Sequence, residues 1–363
     1  MAVTLVMLHK LKTGMRIAED VYHNSQLLVP KDTVITSDVM DLLNNSSVIA
    51  VTIYDSSKSD APVAQPAKQT VHTSHADQVR NSRTFKKFEA DFQNKTKEFS
   101  FQLNDIANHN DDIDIDNLFN SANELMSETT NTYQLMDILS NIRYFDDSTY
   151  AHSLNVAMLA NIFGRWIHFN EDDLKLLTVA GMLHDIGKIL IPPEIIKKPG
   201  KLTNEEFQII KTHPMKGYQL LSNRNIDIRI SQAALMHHEK CDGSGYPLGV
   251  TGNKISDLAK IITIVDVYEA LTANRCYRDG LCPFEVIKMY EDEGYQKYDP
   301  KFLVPFLRGI SDTYLHNTVL LNDGRKGEVI MTNQMIPSRP SVMVDNEFLD
   351  LTKFPNLKIE AIL

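Results

Sequence analysis

His184-Asp185-Ile186-Gly187-Lys188 opens a series that runs on through His213-Pro214, His237-His238-Glu239 and Asp242-Gly243-Ser244-Gly245-Tyr246-Pro247. Imidazole and carboxylate suit first-row transition metals with open coordination positions, and such metals make hydroxide available near neutral pH. The 12 histidines among 363 residues decide nothing by number. A single histidine is ordinarily a surface or satisfied core residue, so placement has to carry the reading. Here an apolar helix ends in His184-Asp185, at a glycine that lets the backbone turn and expose both side chains.

Further candidates lie outward from this series. His152 shares a helix with Val156 and Leu159, and Asp266 sits inside the apolar run Ile261-Ile262-Thr263-Ile264-Val265. A buried lone carboxylate is costly unless it is paired or bound to a metal. The His152 helix and the helix that ends at His184-Asp185 can converge on one point, while His213 ends a third helix, His237-His238 a fourth, and Asp266 lies in a fifth. Seven ligands are too many for one tetrahedral zinc and suit two octahedral metals that share a bridging carboxylate.

The surrounding chain reads as mainly α. Helices are expected over 151–167, 172–184, 228–239, 256–274, 284–290 and 300–310. Another is opened by the capping box Thr203-Asn204-Glu205-Glu206 and carries Phe207, Ile209, Ile210 and His213. Upstream, Phe85, Phe88, Phe92, Phe99 and Leu103 fall on one helical face, and 118–142 repeats the pattern. Two long helices follow, their aromatic stripe serving core or homodimer packing. Residues 1–55 form a small N-terminal module with short strands at Gly14–Ala18 and Gln26–Pro30 and a helical face at Val39 to Leu43. It is either a stabilising appendage or a regulatory, partner-binding unit. The Ser, Pro, Gln and Lys-rich stretch 56–83 lacks large apolar residues and reads as a flexible linker. Residues 84–146 are the helical region, 147–315 the central domain, and 316–363 a short C-terminal β extension with Asp323-Gly324 as a turn.

Composition narrows the function classes. The net charge of -10 argues against duplex nucleic acid as a partner, which requires a basic surface. Cys241, Cys276 and Cys282 form no CxxC pair, which points to reduced thiols in the cytoplasm. Met1 to Leu8 lacks a basic leader and is too short to span, and no other stretch approaches a membrane span.

The order and spacing of His152, His184-Asp185-Ile186-Gly187-Lys188, His213-Pro214, His237-His238-Glu239, Gly243 to Pro247 and Asp266-Val267-Tyr268-Glu269-Ala270-Leu271 resemble the HD-GYP family. This is a branch of the HD phosphohydrolases, members of which hydrolyse cyclic di-GMP. The resemblance covers roughly residues 150–310 and implies an HD-type helical bundle. Glu269 stands where the family often has Asp. The resemblance implies that His152, His184, Asp185, His213, His237, His238 and Asp266 bind two divalent metals, iron or else manganese, with Asp185 bridging them. Lys188 would contact the scissile phosphate or assist the leaving oxygen, and Arg275 and Arg278 would hold phosphates. Tyr246 is held near the cleft by Gly245 and Pro247, either touching substrate or as part of a loop that buttresses the ligand helices.

The implied reaction is hydrolysis of cyclic di-GMP to pGpG and more slowly to GMP, by metal-activated hydroxide, with cyclic GMP-AMP as an alternative substrate. A competing reading makes the domain a sensor that binds a cyclic dinucleotide and signals to a protein partner; the complete set of seven ligands favours catalysis. In some HD-GYP enzymes a glutamate one turn before the first histidine helps to hold a third metal. Ser148 stands there, and Asp146 and Asp147 point elsewhere on a helix, so a two-metal site is expected.

Overall fold

The computed structural model describes residues 3–7, 11–23, 26–36, 39–40, 43, 50–54, 75–108, 112–142, 149–198, 200–273 and 280–363. The chain divides into two compact units, Met1–Val71 and His72–Leu363.

In the first unit, β1 (Val3–Met7) pairs antiparallel with β4 (Ala50–Tyr54), and β2 (Val21–His23) with β3 (Gln26–Val29). Ile17, Val29, Ile35, Leu43, Val51 and Ile53 make its core. Gly14 to Ala18, expected as a strand, contributes only isolated bridges at Arg16 and Ile17. Of the expected 39–43 helix, residues 39, 40 and 43 are helical, and 41 and 42 lie outside the described residues.

The second unit is a helical bundle. The stretch expected to be linker ends earlier than residue 83, because α1 (His75–Asn81) is already helical. Its polar side chains find partners on α4 (Thr132–Ile142): His75 Nε2 lies 3.1 Å from Asp137 Oδ2, and Arg80 Nε donates to Asn141 Oδ1 at 3.1 Å. The rest of the predicted linker, 56–74, lies outside the described residues.

Helix α2 (Arg83–Asn108) buries Phe85, Phe88, Phe92, Phe99 and Leu103 in the chain's own core. The stretch 118–142, expected as one helix, is two. Between α3 (Ile115–Ser127) and α4, Thr129 and Thr130 favour extended backbone, and Asn131 Oδ1 accepts from Gln134 N at 2.9 Å to start the second helix.

Helices α5 (Thr149–Trp166) and α6 (Glu171–Leu183) form the centre of the bundle. They approach so closely that a Cβ on Gly181 would sit 2.7 Å from Ala157 Cα. Asn170 caps α6, and its first turn is acidic, as a positive helix end favours. A 3₁₀ turn, Ile186–Leu190, and the short α7 (Pro193–Ile196) lead to α8 (Asn204–Ile210), which has the expected capping box at Thr203 and Glu206.

One boundary differs. His213 begins α9 (His213–Ser222) instead of ending the preceding helix, because Pro214 occupies the first turn, where its missing N–H is no loss. Helices α10 (Ile228–Met236), α11 (Asp257–Thr272), α12 (Pro283–Lys297) and α13 (Pro300–Asp312) complete the bundle.

The C-terminal residues form a five-stranded antiparallel sheet. Strands β5 (Thr318–Leu321), β6 (Lys326–Met331), β7 (Ser341–Val344) and β8 (Glu347–Asp350) meander, and β9 (Ile359–Ile362) returns to pair with β5. Val319, Leu321, Val329, Val342 and Leu349 join the core of the bundle, so this sheet is continuous with the helical unit.

Candidate metal centre

The centre is built from helix ends. His184 is the C-cap of α6, His213 the first residue of α9, and His237 the C-cap of α10, while His152 and Asp266 lie inside α5 and α11. His184 donates through Nδ1 to Gly181 O at 2.7 Å, His213 to Ile210 O at 2.8 Å and His237 to Ala234 O at 2.9 Å. Each contact reaches the carbonyl three residues back, so each ring is fixed with Nδ1 protonated and the Nε2 lone pair facing inward.

Asp185 divides the cluster. Its Oδ2 lies 3.5 Å from His184 Nε2 and 3.7 Å from His152 Nε2. Its Oδ1 lies 3.2 Å from His213 Nε2 and 3.6 Å from His237 Nε2. Two donor groups result, His152 with His184 and Asp185, and Asp185 with His213, His237 and His238; the ligand atoms of each lie within 4.8 Å of one another. Asp266 belongs with the first, its Oδ1 3.1 Å from His152 Nε2 and 3.9 Å from His184 Nε2.

These donors fit metal ions. His184 Nε2 and Asp185 Oδ1 are buried and have no hydrogen-bond partner, despite their close neighbours. His213 Nε2 and His237 Nε2 face each other at 3.1 Å, although both rings spend their proton on Nδ1. Two lone pairs at that distance repel unless a cation lies against them. The cluster could therefore hold metals, and its buried polar atoms are costly without them.

The electrostatics of His184, His213, His238 and the two aspartates agree with a ligand set, while His152, flanked by two carboxylates, keeps a proton that a cation would have to displace. Burial pushes His184 down to about 4 and lowers His213 and His238, the neighbouring His237 adding to the last, so these imidazoles are neutral near pH 7. Burial opposes ionisation of Asp185, yet Lys188 and the surrounding histidines hold it well below the usual carboxylate range. Asp266 is likewise lowered against burial by His152 and His184. For His152, burial is outweighed by Glu269 and Asp266, which push it up to about 10.

Two residues absent from the expected set support the centre. Glu269 Oε2 lies 2.6 Å from His152 Nδ1 and fixes that ring as the main-chain carbonyls fix the others. Its signal was an acidic residue one turn after Asp266 in an apolar helix. Glu239 is buried and clamps the glycine-rich loop, accepting from Leu248 N at 2.6 Å, Gly249 N at 3.2 Å and Val250 N at 3.1 Å.

Glycine is required at two further points. A Cβ on Gly245 would meet Glu239 Cα at 2.4 Å, and one on Gly187 would meet His213 O at 2.0 Å. Tyr246 stacks on His238, ring centroids 4.7 Å apart, so the loop does buttress a member of the cluster. Lys188 Nζ lies 2.5 Å from Asp185 Oδ2. Arg275 and Arg278, like Asp146, Asp147 and Ser148, fall outside the described residues. No described helix is long and apolar enough to cross a membrane.

A family model described as HD domain matches residues 115–302. A cyclic di-GMP phosphodiesterase of Pseudomonas aeruginosa is 35% identical over 194 residues, 53% of this chain and 46% of that protein. A cyclic di-GMP phosphodiesterase response regulator of Xanthomonas campestris is 34% identical over 195 residues, 53% of this chain and 51% of that one. A 3′3′-cGAMP-specific phosphodiesterase of Vibrio cholerae is 35% identical over 153 residues, 42% of this chain and 33% of its own length. The chain thus spans about half the length, or less, of these curated relatives. With the matched span running from α3 into α13 and enclosing His152, His184-Asp185, His213, His237-His238 and Asp266, the chain belongs to the HD-domain family.

Proposed function

We propose that this chain is a metal-dependent phosphodiesterase that hydrolyses a cyclic dinucleotide, cyclic di-GMP to pGpG in the first instance and more slowly to GMP. In this reading His152, His184 and Asp266 hold one divalent transition ion and His213, His237 and His238 a second, iron or else manganese, with Asp185 shared between them. When bound, such ions supply a water acidic enough to ionise near neutral pH and offset charge on a phosphodiester.

The chain's own residues do the rest. Asp185 presents one oxygen to each side, and Glu269 keeps His152 turned inward. Lys188, leaving Asp185, would meet the scissile phosphate or protonate the departing oxygen. Arg275 and Arg278 would take phosphate oxygens in pairs, and the loop locked by Glu239 keeps Tyr246 against His238.

The observation that carries the reading is the division of Asp185, whose two oxygens address two sets of inward-facing Nε2 atoms. The test is turnover by purified protein loaded with Fe(II) or Mn(II), given cyclic di-GMP and 3′3′-cGAMP separately and followed by chromatography. Conversion of cyclic di-GMP to pGpG, lost in Asp185→Ala, is the expected result. Binding without turnover under every metal and redox condition would leave a sensor instead.

We also propose that residues 1–55 are either a stabilising appendage or a regulatory, partner-binding unit: the second predicts that removing residues 1–71 changes turnover, the first that it leaves turnover as it was. A homodimer through the helical region would use exposed side chains such as Phe101 and Tyr133, since the aromatic stripe is consumed in the core.

A further inference from the structure

Beside the centre, on the face of the stacked Tyr246–His238 pair, stands a lysine that the reading above does not use. Lys211 is the C-cap of α8. Its ammonium lies 5.2 Å from the centroid of the Tyr246 ring and 5.5 Å from that of Phe207. It makes no ion pair and no side-chain hydrogen bond among the described residues.

The acid nearest to it in sequence is engaged elsewhere: Glu206 is held by Lys198 Nζ at 2.6 Å and by Thr203 N at 2.7 Å. Phe207 is 46% exposed, and Leu248, which follows Pro247 in the clamped loop, is 49% exposed, so the surroundings of Lys211 are open to solvent. A cation held only by aromatic faces is weakly held at an exposed site and remains free to take an anion. In a chain of net charge -10, a half-buried lysine without a carboxylate stands out.

A cyclic dinucleotide carries two phosphodiesters, and the centre can act on only one at a time. The other keeps its charge, and the attached purines need apolar faces. We propose that Lys211, within reach of both Phe207 and Tyr246, binds the phosphate that is not being cleaved, and that the exposed Phe207 ring stacks a purine of the same substrate. This rests on the cyclic dinucleotide reading and makes Lys211 a specificity residue, selecting substrates with a second phosphate over simple phosphodiesters.

The test compares wild-type metal-loaded protein with Lys211→Met and Lys211→Arg. Two quantities are measured: the ratio of kcat/KM for cyclic di-GMP to that for bis(p-nitrophenyl) phosphate, which has one phosphate, and the Kd for cyclic di-GMP by calorimetry. We expect the ratio to fall and the Kd to rise about tenfold in Lys211→Met, and Lys211→Arg to stay within about threefold of wild type. Unchanged ratio and Kd, or equal loss on both substrates, overturns the assignment while leaving the hydrolase intact. Wild-type protein that binds cyclic di-GMP through Lys211 without turning it over sinks the hydrolase reading and keeps the subsite. Absence of both binding and turnover sinks both.

Discussion

The two sides of Asp185 are built from different chemistry. On one, His152 and His184 face Asp266, and His152 is backed by the carboxylate of Glu269 at 2.6 Å. On the other are three imidazoles, His213, His237 and His238, of which the first two are oriented by neutral main-chain carbonyls. The first side is rich in negative charge and the second in neutral nitrogen. A charge-removing substitution should therefore hurt the first side most, and only Asp185 should matter equally to both.

That contrast can be broken in descending order of effect. Asp185→Asn removes the shared charge and should cost on the order of 10³-fold or more in kcat with loss of both metals, read by turnover and elemental analysis together. Retention of one full metal equivalent would show that the carboxylate is not shared. Asp266→Asn should empty the first side only and lower kcat by roughly 10²-fold, while His238→Ala, which leaves two imidazoles in place, should weaken the second side and cost less. Competitive metal titration of the two variants checks the order, and the reverse order contradicts it.

Glu269→Gln preserves a hydrogen-bond acceptor for His152 but removes the charge behind it. Metal affinity should drop about 10- to 100-fold on the first side alone, visible as one weakened phase in a two-phase chelator titration. Equal weakening of both phases would mean that Glu269 acts through the fold.

The smallest effect is remote from the centre. The His75 imidazole is raised above its ordinary value by the hydrogen bond to Asp137, against the opposing effect of burial. A raised folded value means that the stabilisation is complete below pH 6.5 and fades as pH climbs through the folded value. For a pair this exposed it amounts to a few tenths of a kcal/mol. Hydrogen exchange in α1 should be slower at pH 6 than expected from its pH 8 rate corrected for intrinsic chemistry, and His75→Gln should abolish the difference.

The sequence made the centre more legible than its supports. His152, His184, Asp185, His213, His237, His238 and Asp266 stand out as candidates by their places on helices, and their order and spacing match the HD-GYP pattern, which is what implies the ligand set. Glu239 and Glu269 do not, since their partners lie across the fold, in a loop and on α5.

Helix limits failed where one residue has two uses. Proline is compatible both with the end of one helix and with the first turn of the next, and at Pro214 the second holds. The strand Glu347–Asp350 escaped notice because only Leu349 in it is buried; its signal was the Asp345-Asn346 turn, both residues at positive φ. Lys211 pairs with Phe207 at helical spacing, but only the fold brings Tyr246 within 5.2 Å of its ammonium.

The central claim is that Asp185 lies between two metal positions. Anomalous diffraction from crystals of the metal-loaded protein, collected at the manganese and iron edges, tests it directly. The account predicts two peaks, one against His152, His184 and Asp266 and one against His213, His237 and His238, each in contact with a different oxygen of Asp185. A single peak, or two peaks on the same side of that carboxylate, would contradict it.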